Sequence, residues 1–415
     1  MAHHRQQYVL RLTSFCGSMN MKCIRRVSAR LRLGLLSPLL LCAALAGCAT
    51  APAPPPPPDL FNDTSFAAPR VPVDPQQAFA MSEAMRHYVR VDIAREARSK
   101  NPRRALAEAL RNRAGLQLEY DAAMTRTAAQ AFDARSGNCL SLVLMTAALA
   151  KDMGLDVHYQ LVLGEESWSR SGGMYFVAGH VNLALERRAA SNTVGYDADA
   201  ILLIDFLPGE DLAGQRTLQI SEATILAMYL NNRAAETMTS GELDQAYWYA
   251  RAAILQDPTF AGAFNTLGII QLRHGDTEPA RRTLAYALER SPSNTVLLSN
   301  LAQALDGLGR ADEAQLLRRK LLALQPEPPF HFFNLGQRAM EAADYQEAAR
   351  LFKREIARDP YYHEFHFWLA QAYARMGQLS QADRQLELAM DNSTTRSEHG
   401  LYAAKLQRLR AATAH

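Results

Sequence analysis

Prolines stand at 258, 292, 326 and 360, each 34 residues after the last, and a spacing this regular confines the C-terminal part of the chain to a repeated unit. In the same register small residues recur at Ala234, Gly268, Ala302, Gly336 and Ala370, and again at Ala246, Ala280, Ala314, Ala348 and Ala382. Gly241, Gly275, Gly309 and Gly377 fall between the two series, with Ala343 the one exception. Small positions on either side of a turn residue, closed by a proline that cannot continue a helix, describe a helix-turn-helix pair. A unit of this size cannot bury its apolar face alone, so such pairs stack into a solenoid.

The period and these positions resemble the tetratricopeptide repeat. Five repeats are expected over residues 224–396, then a cap helix at 397–415, where Leu401 to Ala412 sets apolar residues at helical spacing with basic ones between. The resemblance implies an all-α solenoid that binds a protein or peptide partner and carries no chemistry itself. Tyr247, Trp248, Phe264, Phe332, Phe352 and Trp368 read as filling between helices. His363 and His366 read as a surface pair, because no constellation of Cys, Asp or Glu accompanies them as metal ligands. Neither a metal nor a cofactor is expected.

The chain opens differently. A basic stretch from Lys22 to Arg32 precedes an apolar run from Leu33 to Leu45, which Pro38 interrupts and Leu45-Ala46-Gly47-Cys48 ends. This is the layout of a secretory signal, shorter than the roughly 20 residues of a spanning helix. Leu-Ala-Gly-Cys resembles the lipobox of bacterial lipoproteins. That implies cleavage before Cys48, acylation of its thiol and new amine, and, with Ala49 next instead of Asp, sorting to the outer membrane with the folded part facing the periplasm. Several acyl chains make a stable membrane anchor. Residues 1–47 are the expected signal peptide, with 1–18 a candidate upstream extension because Met19 and Met21 both precede the basic region. Residues 48–72, holding Pro52 and Pro54 to Pro58, are the expected proline-rich linker, an extended spacer off the membrane. Removing residues 1–47 takes away seven basic groups and no acidic one, leaving 38 Lys and Arg against 42 Asp and Glu. A body this mildly acidic lacks the footprint that attracts phosphate backbones, so no nucleic acid is expected as a partner.

Between residues 73 and 223 the period changes again. Phe79 to Arg98 and Asn101 to Glu119 read as helices, and the apolar run from Cys139 to Ala150 reads as a buried helix ending near Gly154. Three runs of strand character follow, Val157 to Leu163, Val181 to Leu185 and Ile201 to Phe206, which makes an α+β layout. Cys16, Cys23 and Cys42 leave with the signal and Cys48 takes lipid, so Cys139 remains without a disulfide partner. One reading is a small buried hydrophobe. The other is a nucleophile, because the free amides and macrodipole at a helix start favour a thiolate.

Arg135-Ser136-Gly137-Asn138-Cys139-Leu140-Ser141, Gly154-Leu155-Asp156-Val157, Gly179-His180-Val181-Asn182 and Leu203-Ile204-Asp205-Phe206 together resemble the transglutaminase-like superfamily over about 110–215. The expected fold is therefore an α+β papain-like, transglutaminase-like domain followed by the tetratricopeptide solenoid. The resemblance implies Cys139 as nucleophile, His180 as base and later acid, and Asp205 as the group that orients the imidazole. An unpaired carboxylate inside the apolar run around Asp205 would be costly, and His180 is its natural partner. Asp197 and Asp199, near Gly195, read as solvated turn residues. The Cys139 backbone N–H is a first oxyanion donor, and Gln160 is either a second or a solvent-facing strand residue. Trp168, with Ser171-Gly172-Gly173, either flanks the cleft or plugs the sheet. The expected activity is cysteine amidase or peptidase chemistry, with hydrolysis placed ahead of acyl transfer to an amine. The alternative is a non-catalytic envelope scaffold.

Overall fold

The computed structural model describes residues 54–98, 100–111, 116–122, 124–171, 174–186, 201–206, 216–393 and 395–413. Cys48 and the leader lie outside the described residues, as do Asp197 and Asp199. No helix of the described residues is long and apolar enough to cross a membrane.

Ser82 accepts the Met85 N–H and starts α1 (Glu83–Tyr88), which runs through a π-turn at Val89–Ile93 into α2 (Ala94–Ala97). The helix expected from Phe79 thus begins later, because Pro75–Phe79 closes as a 3-10 turn of its own. Next, α3 (Pro102–Arg111) stops short of the expected Glu119. Glu119 and Asp121 instead donate their amides to Arg135 and Gly137, so β1 (Glu119–Tyr120) pairs in parallel with β2 (Ser136–Gly137). Between these strands, α4 (Ala128–Ala134) starts with a reciprocal capping box of Thr127 and Gln130. Then comes α5 (Cys139–Asp152), whose residues from Leu140 to Ala150 are all buried, the pattern of a helix enclosed by its domain.

Beside α5 lies an antiparallel sheet in the order β5-β4-β3-β6, made of β3 (Asp156–Ser171), β4 (Met174–Glu186), β5 (Ile201–Ile204) and β6 (Arg216–Ile220). Val181, Leu183 and Leu185 are fully buried, and α5 packs on this part of β4. The β3–β4 hairpin is longer than the sequence suggests; Ser171 ends β3, and Gly172 and Gly173 lie outside the described residues. Strand β6 was not expected; it is only five residues long and mostly exposed.

Five helix pairs follow: α6 (Glu222–Thr239) with α7 (Leu243–Gln256), α8 (Ala261–His274) with α9 (Thr277–Arg290), α10 (Thr295–Gly307) with α11 (Ala311–Leu324), α12 (His331–Glu341) with α13 (Tyr345–Ile356), and α14 (His363–Arg375) with α15 (Leu379–Asp391). A last helix, α16 (Arg396–Thr413), covers the end. The small residues of the repeat are needed for contact: a Cβ on Gly268 would meet Leu284 at 2.6 Å, and one on Gly336 would meet Phe352 at the same distance. One apolar core runs from Leu60 through the sheet region to Ala314, and a separate core begins at Phe330. Helices α11 and α12 scarcely touch.

Two expectations are corrected. The second half of the expected spacer is packed against the repeats: Leu60 and Phe66 are buried, and Phe66 stacks on Tyr247 with ring centroids 4.0 Å apart. Gln271 donates to the Leu60 carbonyl at 3.0 Å, Arg251 to Asp63 at 2.9 Å and Trp248 to the Ala67 carbonyl at 2.7 Å, so residues 58–71 form a strap across α7, α8 and α9. His363 and His366 are likewise no surface pair. The His366 ring bonds Gln385 and the Pro360 carbonyl, each at 2.8 Å, while His363 reaches Tyr402 at 2.8 Å and burial pushes its imidazole down. His366 ties the two helices of the last repeat together, and His363 ties the first of them to α16.

Candidate active site

The local sequence places Cys139 with little freedom. Asn138 is extended, and its side-chain oxygen accepts the Ser141 N–H at 2.9 Å, which makes it the N-cap and Cys139 the first residue of α5. The Ser141 hydroxyl also bonds Asn138 at 2.7 Å and accepts the Arg126 amide at 2.8 Å. A Cβ on Gly137 would lie 2.6 Å from that of Ser141, so only glycine fits ahead of the cap. Cys139 is half-buried and a free thiol.

His180 comes from the middle of β4. Its neighbours Val181 and Gly179 pair with Leu161 and Glu166 of β3, so His180 stands opposite an irregularity in which β3 carries extra residues. Bulges of this kind re-aim a side chain that a regular ladder would fix. His180 is buried, and its Nε2 lies 2.8 and 2.9 Å from the two oxygens of the equally buried Asp205, one residue beyond β5. A carboxylate accepts, so Nε2–H donates and Nδ1 is left as the other ring nitrogen. The Cys139 thiol lies close enough to interact with the ring. Burial works against a charged ring, but the bonds and charges of Asp205 and Cys139 outweigh it and push His180 up to about 10.

Cys139, His180 and Asp205, drawn from a helix and two neighbouring strands, thus meet. Gln160 is half-buried in β3, and its register partner across β4 is Asn182. Trp168 pairs with Val177 in the same hairpin, and its side chain lies outside the described residues. Sequence reasoning gave Asn182 no role. Buried two residues after His180, it donates to Asp205 at 2.8 Å, and the strand period of two was the available signal. Thr125, which fits the resemblance as part of Thr125-Arg126-Thr127-Ala128, was likewise given no role. Fully buried, it accepts from Asn138 at 2.8 Å. Among the described residues no cluster of His, Cys, Asp and Glu is arranged to hold a metal.

The profile of the tetratricopeptide repeat family matches residues 339–404. Among solved structures, a thermophilic tetratricopeptide repeat protein of Thermus thermophilus is 19% identical, over 44% of this chain and 99% of its own, with a TM-score of 0.30. YrrB, a tetratricopeptide repeat protein with an unusual peptide-binding site, is 21% identical over 43% of this chain and 92% of its own, with a TM-score of 0.24. MamA is 16% identical over 38% and 93%, with a TM-score of 0.23. No curated protein matches the sequence. The C-terminal region therefore carries tetratricopeptide repeats, an architecture whose extended surfaces serve protein–protein interaction.

Proposed function

We propose that this chain is a lipid-anchored cysteine amidase or peptidase of transglutaminase-like type, with a papain-like catalytic domain and repeats that hold a protein substrate or partner. The observation that carries the reading is the buried imidazole of His180, which bonds the Asp205 carboxylate and lies within electrostatic reach of the Cys139 thiol at the start of α5. In the proposed reaction the Cys139 sulfur attacks an amide carbonyl, a C–S bond forms, and the carbonyl oxygen takes the negative charge. The Cys139 N–H, free at the helix start, and Gln160 donate to that oxygen. Protonated by the thiol, His180 gives its proton to the leaving amine as the C–N bond breaks. Water, activated by the same ring, then hydrolyses the thioester. Asp205 fixes the tautomer throughout, and Trp168 flanks the cleft. Acyl transfer to an amine is the same sequence with an amine replacing water in the last step. Acylated at Cys48, the protein would sit on the outer membrane and face the periplasm.

A second reading, the non-catalytic envelope scaffold, is favoured by the comparisons, because the family match covers only the end of the repeat array and the start of the helix after it. The deciding experiment incubates the chain lacking residues 1–48 with envelope peptides and looks for acylated Cys139 by mass spectrometry. An acyl-enzyme that is absent from His180→Ala supports the enzyme. Its absence from the parent chain, together with partner capture by the repeats, supports the scaffold.

A further inference from the structure

The repeats reach the N-cap of the nucleophile's helix through Thr125. Thr125 is fully buried, and its hydroxyl oxygen accepts two amides, that of Asn138 at 2.8 Å and that of Asn232, on α6, at 3.2 Å. Its backbone N–H donates to Glu236, also on α6, at 2.6 Å, and Arg233 of the same helix holds Glu236 at 2.8 Å. The Glu236 side chain is half-buried.

The consequence for Cys139 follows from the chemistry of an amide. With its nitrogen held by Thr125, the Asn138 side chain has one way round, and its oxygen must face Ser141. Were the nitrogen released, the amide could rotate, the cap would loosen, and the first turn that carries the thiol would drift from His180. We propose that α6, the first helix of the repeat array, positions the nucleophile through Thr125 and Asn138, so that a load on the repeats is felt at the thiol–imidazole pair. Thr125, Asn232 and Glu236 are then positioning residues. This rests on the reading of Cys139 as a nucleophile.

The test measures iodoacetamide alkylation of the full chain in detergent, with labelling of Cys139 read by mass spectrometry across pH 5–9. Thr125→Val, which keeps the shape and removes the acceptor, should slow alkylation about tenfold near neutral pH and flatten its pH profile. Thr125→Ser should restore both. Asn232→Leu, on a half-exposed face and with no change at the cap itself, should slow it several-fold and serves if Thr125→Val does not fold. Parent-like rates and profiles in Thr125→Val and Asn232→Leu would overturn the proposal. Slowing in Thr125→Val with none in Asn232→Leu would confine the effect to the cap and overturn the part played by the repeats. If the parent chain and His180→Ala react alike, it is the underlying nucleophile reading that fails.

Discussion

Nε2 of His180 lies almost equally far from the two oxygens of Asp205, at 2.8 and 2.9 Å, so the carboxylate faces the ring with both lone-pair edges. Burial opposes the ring's charge, but Asp205 and Cys139 overcome it and raise the imidazole from its ordinary 6.5 to about 10. Between those two values the folded chain holds a proton that the unfolded chain has released. Stability from this group is therefore complete below about pH 6.5 and is lost as the pH rises through about 10. Melting temperatures followed from pH 6 to 10 should fall more steeply for the parent chain than for His180→Gln. Parallel curves would refute the charged pair.

Asn182 restrains the same carboxylate from the next strand position, donating to it at 2.8 Å from a buried site. Asn182→Ala removes a bond to a charged group and leaves that charge less satisfied, at a cost of about 2 kcal/mol in stability. It should also lower Cys139 alkylation near neutral pH by less than His180→Ala does. Urea melts and alkylation rates on the same preparations check both parts.

The strap makes a different demand on the chain. Phe66 is buried and stacks on Tyr247 with an interplanar angle of 6°, which no free spacer would do. Truncating it should destabilise the first repeats by about 3 kcal/mol, the lower end for a buried phenylalanine. Urea unfolding of Phe66→Ala, monitored at Trp248, whose indole donates to Ala67 in the strap, provides the measurement.

Much of this architecture was legible because periodic physics leaves periodic residues. Gly241, Gly275, Gly309 and Gly377 all adopt positive φ, and the prolines at 258, 292, 326 and 360 all fall just after second helices. The order Cys139, His180, Asp205 on helix, strand and strand end was also readable from the motifs around each residue. What escaped was long-range. Nothing local to Leu60 or Phe66 tells a packed strap from a spacer, since their partners, Gln271 and Tyr247, lie about 180 to 210 positions away. His366 bonds Gln385 in the following helix, a partner its own segment does not reveal, and β6 is a short strand that is mostly exposed.

Ala343 occupies the turn position that glycine takes in the other four repeats, and it adopts the same left-handed backbone, φ 58°. A Cβ there costs roughly 1–2 kcal/mol, partly offset by the extra unfolded-state freedom of glycine. Ala343→Gly should therefore stabilise the chain by about 0.5–1 kcal/mol, since the residue is exposed and gives up little packing. A chemical melt showing destabilisation would mean that the methyl group has a contact worth more than the strain.

The last prediction concerns the joint between the third and fourth repeats. Leu301, one repeat before Leu335, is 6% exposed, and Ala287, one repeat before Leu321, is 2% exposed, yet Leu321 and Leu335 are both only half-buried. The residues are in register but their helices α11 and α12 scarcely touch, and the apolar core breaks between Ala314 and Phe330. Nearest-neighbour contact is what couples repeats into one cooperative unit, so a missing interface should split unfolding in two. Phe352 is fully buried in the second block, and Phe352→Ala should cost that block about 3–5 kcal/mol. Trp368 reports on the second block and Trp248 on the first. Paired Trp→Phe variants followed by fluorescence in urea should show the midpoint of the second block falling while that of the first stays in place. A single transition moving as a whole would mean that the joint is coupled more tightly than its packing implies.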